Sequence, residues 1–253
     1  MNRWIMAGII AAIAAAAAFF LLRSDGSAAA DGQTEVELPA GLDRADLEIV
    51  IREYILANPE IIPEAMERLQ ERRMVQMISS VRDDLETPFA GAWIGAADAD
   101  VTVVEFFDYA CGFCRTSLPD IERLVEEDPN VRVVFRELPI LSEESVDAAR
   151  VSLSAAKQRE YFEFHRAMYA EGRPGPASIA AAQRRAGLDA GQVRRDIDDA
   201  AIDAELSRNR DLAVQLEVNG TPAFVIGDRI LAGAVGYDRL REAVAEARAA
   251  SGD

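Results

Sequence analysis

The alternation of hydrophobic and polar positions divides the chain into segments of different character. Residues 4–22 form an apolar run of 19 residues without a charge, and residues 24–41 are small and polar with no lasting period. Apolar residues then recur at three- and four-residue spacing from Leu42 to Asp84. This spacing predicts two amphipathic helices, separated at Asn58-Pro59 because the residue before a proline avoids helical geometry.

A different periodicity begins after residue 100. Val101–Phe107 reads VTVVEFF and is apolar on both alternating faces except at Glu105. That pattern is typical of a central strand in a sheet that is covered on both sides. A helix is predicted over Ser117–Glu127 and a second strand over Val131–Phe135. Since the two strands are joined by a helix, we expect them to be parallel.

The rest of the chain continues this α/β pattern. Glu143–Val218 is mostly helical, Thr221–Ala232 contains two strands that meet at Gly227-Asp228, and Tyr237–Ala249 is a final helix. The predicted fold is an α/β domain over residues 91–253, with a helical insertion at about 143–218 between its second and third strands. Residues 42–90 are predicted to form a helical N-terminal extension, and residues 24–41 a flexible linker.

Residues 1–23 are predicted to be a transmembrane anchor or a signal segment. The 19 uncharged residues are long enough to cross a bilayer, whereas the apolar cores of signal peptides span about 7–15 residues. Ala28-x-Ala30 offers a signal cleavage site. We expect a retained anchor in preference to a cleaved signal, and both alternatives export the rest of the chain.

The charge and the scarcity of histidine exclude several classes of function. The chain has 44 acidic and 27 basic residues and a formal net charge of -17. Such a surface repels nucleic-acid phosphates and anionic lipid headgroups, so neither is expected as a partner of the soluble part. His165 is the only histidine, which argues against a zinc site with several histidine ligands. We expect His165 to be an ordinary helix residue with its hydrogen bonds satisfied.

The chain has only two cysteines, Cys111 and Cys114, and they lie three positions apart between a predicted strand and a predicted helix. A sulfur at a helix N-terminus faces unpaired backbone N–H groups and the positive end of the helix dipole, which favour the thiolate form. Cys-x-x-Cys spacing acts in the same direction and allows a small disulfide to close. Cys111 is therefore the candidate attacking sulfur, and Cys114 the sulfur that resolves a mixed disulfide.

Three other roles are conceivable for the cysteine pair. A structural zinc ion would need two more nitrogen or sulfur ligands, which one chain with a single histidine does not supply. An inert disulfide across so short a loop would stabilise little. Two-coordinate copper(I) remains an alternative, because soft thiolate ligands suit that ion. A redox role is favoured over all three.

A proline precedes the third predicted strand, in the segment Asn219-Gly220-Thr221-Pro222. Proline cannot donate a hydrogen bond to a neighbouring strand, so it is confined to strand starts, edges and bulges. A trans proline at a strand start is the common arrangement. This segment by itself leaves both a cis and a trans bond open.

These residues together resemble the DsbA-type branch of the thioredoxin superfamily. The resemblance covers roughly Val101–Ala249 and rests on the strand VTVVEFF, the Cys111-Gly-Phe-Cys114 motif and Thr221-Pro222 before the third strand. It implies a thioredoxin-like fold in which Cys111 is the nucleophile and Cys114 the resolving thiol. It also implies that Pro222 is a cis-proline that faces the dithiol, and that the Thr221 backbone pairs with an extended substrate segment.

Glu105 matches a buried acid beneath the active site of that family. A carboxyl group in an apolar strand is expected to have a raised pKa, and it could then move the proton of Cys114. The alternative is a carboxylate that reaches water at the strand end.

The helical extension LEIVIREYILANPEIIPEAMERLQ resembles that of exported ScsC-like relatives, some of which oligomerise. A homo-oligomer formed through residues 42–84 is therefore one hypothesis. The alternative is that both helices pack their apolar stripes onto the α/β domain.

The function that these features predict is an exported thiol-disulfide oxidoreductase that requires no cofactor and no metal. Its partners would be cysteine-containing exported proteins and a membrane redox partner, in a periplasm where the chain is tethered to the inner membrane. Gly112-Phe113 departs from the Pro-His pair of the strongest oxidases and resembles the dipeptide of exported isomerases. Net oxidation and isomerisation both stay open, with reduction less favoured. A copper(I)-binding or redox-silent protein that uses the same two sulfurs is the competing class.

Overall fold

The computed structural model describes residues 43–251 of the chain. It divides into two compact units, with the boundary between Ile62 and Pro63. The anchor or signal segment predicted over residues 1–23 and the linker predicted over residues 24–41 lie outside the described residues. From residue 43 to residue 251, no helix is both long and apolar enough to span a bilayer.

The first unit contains helix α1, Arg44–Ala57. Asp43 caps it, because its side chain accepts a hydrogen bond from the backbone N–H of Ala45 at 3.2 Å. None of the residues of Arg44–Ala57 is buried. The apolar side chains Ile49, Val50, Ile51, Tyr54 and Leu56 are all exposed.

Helix α2, Ile61–Glu86, differs along its length. Its last three turns bury Ile78, Val81 and Leu85 in a core within the second unit, to which these residues belong. Its earlier apolar residues Met66, Leu69 and Val75 remain exposed. The predicted helix pair is therefore present, and the C-terminal part of α2 packs onto the α/β domain.

The second unit is built on one mixed sheet of five strands in the order β1-β3-β2-β4-β5. Its strands β2 and β3 are parallel, as predicted, and the other neighbouring pairs are antiparallel. Strand β1 was not predicted, because three residues are too few to show a periodicity. The strands are β1 Trp93–Gly95, β2 Val101–Phe107, β3 Val131–Glu137, β4 Ala223–Ile226 and β5 Arg229–Ala232.

Seven further helices complete the second unit. Five of them, α4 to α8, lie between β3 and β4 and form the predicted helical insertion. Helix α3 begins at Gly112, five residues before the predicted start at Ser117, because Cys111 caps it. The helices are α3 Gly112–Glu127, α4 Glu143–Gln158, α5 Tyr161–Glu171, α6 Pro176–Arg185, α7 Ala190–Asp196, α8 Ala200–Gln215 and α9 Tyr237–Ser251.

The sheet is covered on both faces, as its apolar central strands require. On one face Val103 and Phe107 share a core with side chains of α3, α4, α5 and α9. On the other face Val104 and Phe106 pack with α2 and α8. The alternation along β2 therefore places Glu105 on the same face as Val103 and Phe107.

A buried arginine on β3 joins this second face to α2. The side chain of Arg136 has 0% of its surface exposed and lies 2.7 Å from a carboxylate oxygen of Glu205 on α8. Its guanidinium also donates to the carbonyl oxygens of Asp84, Leu85 and Thr87 at the end of α2. Because these terminal carbonyls have no partner within the helix, Arg136 caps α2 from the sheet.

Candidate active site

The Cys111 sulfur lies at the start of α3, where the backbone leaves β2. Cys111 has extended backbone angles and serves as the N-cap, and its Sγ accepts a hydrogen bond from the backbone N–H of Cys114 at 3.4 Å. The same thiol donates to the carbonyl oxygen of Thr221 at 3.2 Å. The backbone N–H of Cys111 donates to the carbonyl oxygen of Asp108 at 3.0 Å. The Cys111 sulfur is therefore held from the helix and from the segment before β4, and the Cys111 backbone is held from the preceding turn.

Cys114 lies one turn further along α3 and is more deeply buried. Its side chain has 1% of its surface exposed, compared with 5% for Cys111. Burial, and then the negative charge of Glu105, raise the pKa of the Cys114 thiol. Both cysteines are free thiols in this structure. The two sulfurs of the motif are thus in different environments, since only one of them is poised at the helix terminus.

Glu105 lies within the central strand, two residues before the end of β2. Its side chain is 1% exposed, and it is paired with Phe135 on β3 and Phe224 on β4. Burial, and then the charge of Cys111, raise the pKa of Glu105 well above its usual range. Its Oε2 atom has no hydrogen-bond partner within residues 43–251. The alternative of a carboxylate that reaches water at the strand end is therefore wrong.

The segment before β4 meets the dithiol through Thr221. The Thr221–Pro222 peptide bond is cis. The carbonyl oxygen of Thr221 accepts from the Cys111 thiol, and that of Pro222 accepts from the backbone N–H of Gly233 at 2.8 Å. The Thr221 hydroxyl is buried and has no hydrogen-bond partner in the described part of the chain.

Asp108 is a residue of the site that the sequence analysis missed. It is 1% exposed, and its carboxylate accepts four hydrogen bonds. The donors are the backbone N–H groups of Ala110, Ile140 and Leu141 and the hydroxyl of Ser145. An aspartate three residues before a cysteine carries no sequence signal for this role, because three of its four donors lie 32 to 37 residues further on.

A second cluster of buried polar side chains surrounds Tyr109. The Tyr109 hydroxyl lies 2.8 Å from the Ser152 hydroxyl and 3.1 Å from Nδ1 of His165. His165 is buried on α5, and burial lowers its pKa to about 3. It is a satisfied helix residue, as expected from the sequence, and it stays neutral at physiological pH.

Glu137 at the end of β3 is a second buried carboxyl group that the sequence analysis did not identify. It is 1% exposed and accepts a hydrogen bond from the Tyr161 hydroxyl at 3.2 Å. Burial raises its pKa well above the usual value. In the parallel register Phe107 is paired with Glu137, so Glu105 and Glu137 lie on the same face of the sheet.

The chemistry available at this site is that of two sulfurs. Across residues 43–251, no group of three or more His, Cys, Asp or Glu side chains has an arrangement that could hold a metal ion. The structure brings together Cys111, Cys114, Glu105 and the Thr221–Pro222 segment. A sulfur at a helix N-terminus beside a second thiol is suited to thiol-disulfide exchange.

Two protein-family models match the chain. Residues 102–245 match the DSBA-like thioredoxin domain, which is more than half of the 253 residues. Residues 43–74 match the N-terminal domain of the copper resistance protein ScsC. The second match covers α1 and the exposed half of α2.

Solved structures agree with these matches. A thioredoxin-like oxidoreductase from Silicibacter pomeroyi is 42% identical, with a TM-score of 0.62, and the alignment covers 66% of this chain and 97% of that one. The catalytic domain of ScsC from Proteus mirabilis is 32% identical, with a TM-score of 0.63, over 69% of this chain and 98% of that one.

Part of the chain also matches a relative that is described as an antiporter. The Na(+)/H(+) antiporter NhaA 1 of Salinispora arenicola is 30% identical over 156 residues, which are 60% of this chain. The chain spans only 24% of the length of that relative.

Proposed function

Because the chain belongs to the DsbA-like thioredoxin family, we propose that it is an exported protein thiol-disulfide oxidoreductase that works through the Cys111-Gly-Phe-Cys114 dithiol. One observation carries the proposal. The Cys111 sulfur lies at the N-terminus of α3, where it accepts from the Cys114 N–H at 3.4 Å and contacts the Thr221 carbonyl at 3.2 Å. A thiolate formed there is stabilised by the helix terminus, and a thiolate is the reactive species in disulfide exchange.

The oxidising reaction begins from the Cys111–Cys114 disulfide. A substrate thiolate attacks Cys111 Sγ, the disulfide breaks, and Cys114 leaves as a thiolate that takes up a proton. A second substrate thiolate then attacks the substrate sulfur of the mixed disulfide and releases Cys111 as a thiolate. The substrate has lost two electrons, and the dithiol has gained them. A membrane redox partner accepts those electrons when it restores the disulfide.

In the opposite direction the reduced Cys111 attacks a substrate disulfide, and Cys114 resolves the mixed disulfide. Cys114 must first lose a proton, although burial and Glu105 raise the pKa of its thiol. Glu105 has a raised pKa itself, so it is suited to accept and return that proton. Glu105 is therefore assigned the role of proton carrier for Cys114.

Of the two directions we propose that oxidation predominates, since the hydrogen bond from Cys114 N–H to Cys111 Sγ stabilises the reduced form. The test is the reduction potential, measured by equilibrating the purified chain with glutathione buffers and trapping both cysteines. A value of about −120 mV supports a disulfide donor, and a value between about −180 and −230 mV supports an isomerase. A value of about −270 mV supports a reductase. A pair that never equilibrates with glutathione would overturn the redox function itself.

The proposed location is the periplasm, with the N-terminal segment as an inner-membrane anchor. The support is the 19-residue uncharged run and the need of a stable disulfide catalyst for an oxidising compartment. The natural N-terminus of the protein, isolated from membranes and sequenced, tests the anchor. A protein that begins at Asp31 in the soluble fraction would favour the cleaved signal.

We also propose that residues 42–84 mediate self-association. Nine large apolar side chains of α1 and α2 are exposed, among them Ile51 at 48% and Tyr54 at 60%. Exposed apolar surface of this extent is typical of an interaction site. Sedimentation of the purified chain should give an oligomer that Ile51→Asp dissociates. Val214→Asp, at an apolar position of α8 that is exposed by 71%, should leave the oligomer intact. A monomer at tens of micromolar would reject self-association.

Copper(I) binding by the same two sulfurs is a second candidate function. It is favoured by the match of residues 43–74 to a domain of a copper resistance protein. It is disfavoured by the raised pKa of Cys114, because a two-sulfur copper site requires both thiols to be deprotonated. Stoichiometric copper(I) binding without turnover of any disulfide substrate would replace the redox function by this one.

A further inference from the structure

Asn219 and Gly220 lie directly before the Thr221–Pro222 bond, and the oxidoreductase reaction described above gives neither residue a role. Both are exposed and lie outside the helices and strands. An asparagine followed by a glycine is prone to deamidation, because the backbone nitrogen of the glycine can attack the side-chain amide and no Cβ atom hinders the approach. In a folded protein the reaction depends on the freedom of that nitrogen and of the asparagine side chain.

Both groups are free to react in this structure. Within residues 43–251, no backbone oxygen accepts a hydrogen bond from the Gly220 N–H, and a Cβ atom at Gly220 would have no neighbour within 4 Å. Asn219 lines a cavity of about 310 Å³ together with Gly220, Thr221 and Pro222, so its side chain has room to turn toward Gly220. Its Nδ2 donates to the carbonyl oxygen of Glu217 at 2.9 Å. One exposed hydrogen bond of this kind slows the attack by about tenfold at most.

The other asparagines between residues 43 and 251 lack this combination. Asn58 is followed by a proline, which has no N–H for the attack. Asn209 is buried on α8. Asn130 is exposed, but the next residue is the β-branched Val131, whose N–H is already engaged in a backbone hydrogen bond of 3.2 Å. Within the described residues, Asn219 is therefore the one asparagine with an accessible side chain and an unengaged, unhindered neighbour.

The segment that contains this pair is held at both ends. The Val218 N–H donates to a carbonyl oxygen of α8 at 2.8 Å, and the carbonyl oxygen of Pro222 accepts from the N–H that follows β5, also at 2.8 Å. Between these two points lies the Thr221 carbonyl oxygen, 3.2 Å from the Cys111 sulfur. Isoaspartate in place of Asn219 routes the backbone through its own side chain and adds one methylene group. Because the ends of the segment are fixed, the longer backbone displaces the Thr221 carbonyl group.

We propose that Asn219 is a site of spontaneous deamidation, and that the isoaspartate formed there withdraws the Thr221 carbonyl group from Cys111 and slows disulfide exchange. The Gly220 nitrogen attacks Cγ of Asn219, and the side-chain amino group leaves as ammonia with the Gly220 proton while a succinimide ring closes. Water then opens the ring at either carbonyl group and gives aspartate or isoaspartate, with no change of oxidation state. The modification needs only water, and its effect on turnover rests on the proposed oxidoreductase function.

The modification is tested by incubating the purified full chain at physiological temperature and following its proteolytic peptides by mass spectrometry. The peptide with Asn219 should gain the mass that separates a carboxyl group from an amide and should split into two isomers. An isoaspartate-specific methyltransferase should label one of the isomers. The peptide with Asn130 is the internal control and should stay unchanged. Gly220→Ala should remove most of the change at Asn219, and the alanine fits because Gly220 has no positive φ and open space around it.

The consequence is tested by comparing the isoaspartate form with the fresh chain. For oxidation of a reduced peptide with two cysteines, kcat/KM should fall by up to about 100-fold, as a displacement of about 1 Å at a reactive site can produce. Iodoacetamide should alkylate Cys111 of the reduced chain faster, because its thiol no longer donates to the Thr221 carbonyl. Asn219→Asp should retain the activity, since it carries the new carboxylate on a backbone of ordinary length. Gly220→Ala should retain its activity throughout the incubation.

The outcomes separate this inference from the function on which its consequence rests. A peptide with Asn219 that deamidates no faster than the peptide with Asn130 overturns the modification site. An isoaspartate form with unchanged kcat/KM and unchanged alkylation of Cys111 overturns the link to the Thr221 carbonyl. An equal loss of activity in Asn219→Asp assigns the effect to charge and overturns the backbone displacement. A fresh wild-type chain that oxidises no peptide overturns the oxidoreductase function instead, while the mass and alkylation measurements still decide the deamidation and the displacement.

Discussion

The Sγ atom of Cys111 lies 3.2 Å from the carbonyl oxygen of Thr221, although 110 residues separate them along the chain. The thiol donates to this carbonyl while it accepts from the N–H of Cys114. An extended segment that pairs with the Thr221 backbone would therefore bring its own sulfur next to Cys111. Five predictions follow from this arrangement and from the buried groups around it.

The two cysteines should give different phenotypes when each is replaced by serine. Cys114→Ser should accumulate a mixed disulfide between Cys111 and a substrate protein, because the resolving thiol is gone. Cys111→Ser should form no such adduct, since Cys114 is 1% exposed and its pKa is raised by burial and by Glu105. Mass spectrometry of alkylated extracts measures both species. Equal amounts of adduct in the two variants would contradict the assigned roles.

Glu105→Gln should slow the resolution of the mixed disulfide by Cys114. A positioned acid or base contributes about 10²–10⁴-fold to a proton transfer, so the single-turnover rate is expected to fall by about 100-fold. The control is Glu137→Gln, which changes a second buried glutamate on the same face of the sheet. A faster reaction in Glu105→Gln would mean that the charge of Glu105 acts chiefly to raise the pKa of Cys114, and that Glu105 is not its proton acceptor.

The same substitution should change the pH dependence of stability. Burial raises the folded-state pKa of Glu105 well above 4.5. The stability that protonated Glu105 contributes to the free energy of unfolding is therefore fully present below the unfolded pKa, and it is lost as pH rises toward the folded pKa. Glu105→Gln should therefore be more stable than the wild type at neutral pH. The gain grows by about 1.4 kcal/mol for each pH unit above the unfolded pKa until the folded pKa is reached, and it should vanish near pH 4. Urea unfolding at both pH values measures it, and a gain that is equal at both would contradict burial of an ionisable group.

Arg136→Met should lower the free energy of unfolding by about 3–5 kcal/mol, because it leaves a buried carboxylate without its partner. Glu205 is 4% exposed, and the carbonyl groups at the end of α2 lose their donor at the same time. Adding Glu205→Gln to Arg136→Met should recover part of the loss. The exposed pair Arg68–Glu64 is the control, since Arg68→Met should cost less than about 0.5 kcal/mol. Urea unfolding distinguishes these variants.

Thr221→Val tests whether the backbone or the side chain of Thr221 matters. The hydroxyl is buried without a partner within residues 43–251, so its removal should leave stability unchanged or raise it by about 1 kcal/mol. Peptide oxidation should be retained within about twofold, because valine keeps the carbonyl group that would pair with a substrate. A large loss of activity at unchanged stability would assign the hydroxyl itself to substrate binding.

The sequence by itself determined much of this protein through local patterns. The run VTVVEFF, which is apolar on both alternating faces except at Glu105, required a covered central strand. The helical connection to Val131–Phe135 required a parallel partner. Two cysteines one helical turn apart after a strand placed a dithiol at a helix N-terminus. The DsbA-type resemblance of the motif and of Thr221-Pro222 gave the fold. These inferences hold because strand, helix and cap preferences act over a few neighbouring residues.

Only the tertiary structure decided which distant groups meet. Strand β1 forms because residues 93–95 pair with β3. Three residues are too few to show a periodicity of hydrophobic positions in the sequence. Asp108 holds the β3–α4 loop because the backbone N–H groups of Ile140 and Leu141 donate to its carboxylate. Arg136 caps α2 because that helix ends beside β3, where its terminal carbonyl groups accept from the guanidinium. Burial of Glu105 required helices to cover the face of the sheet that it shares with Val103 and Phe107. The physical reason is that burial and hydrogen-bond partners depend on contacts between segments far apart in the chain, which local residue patterns do not encode.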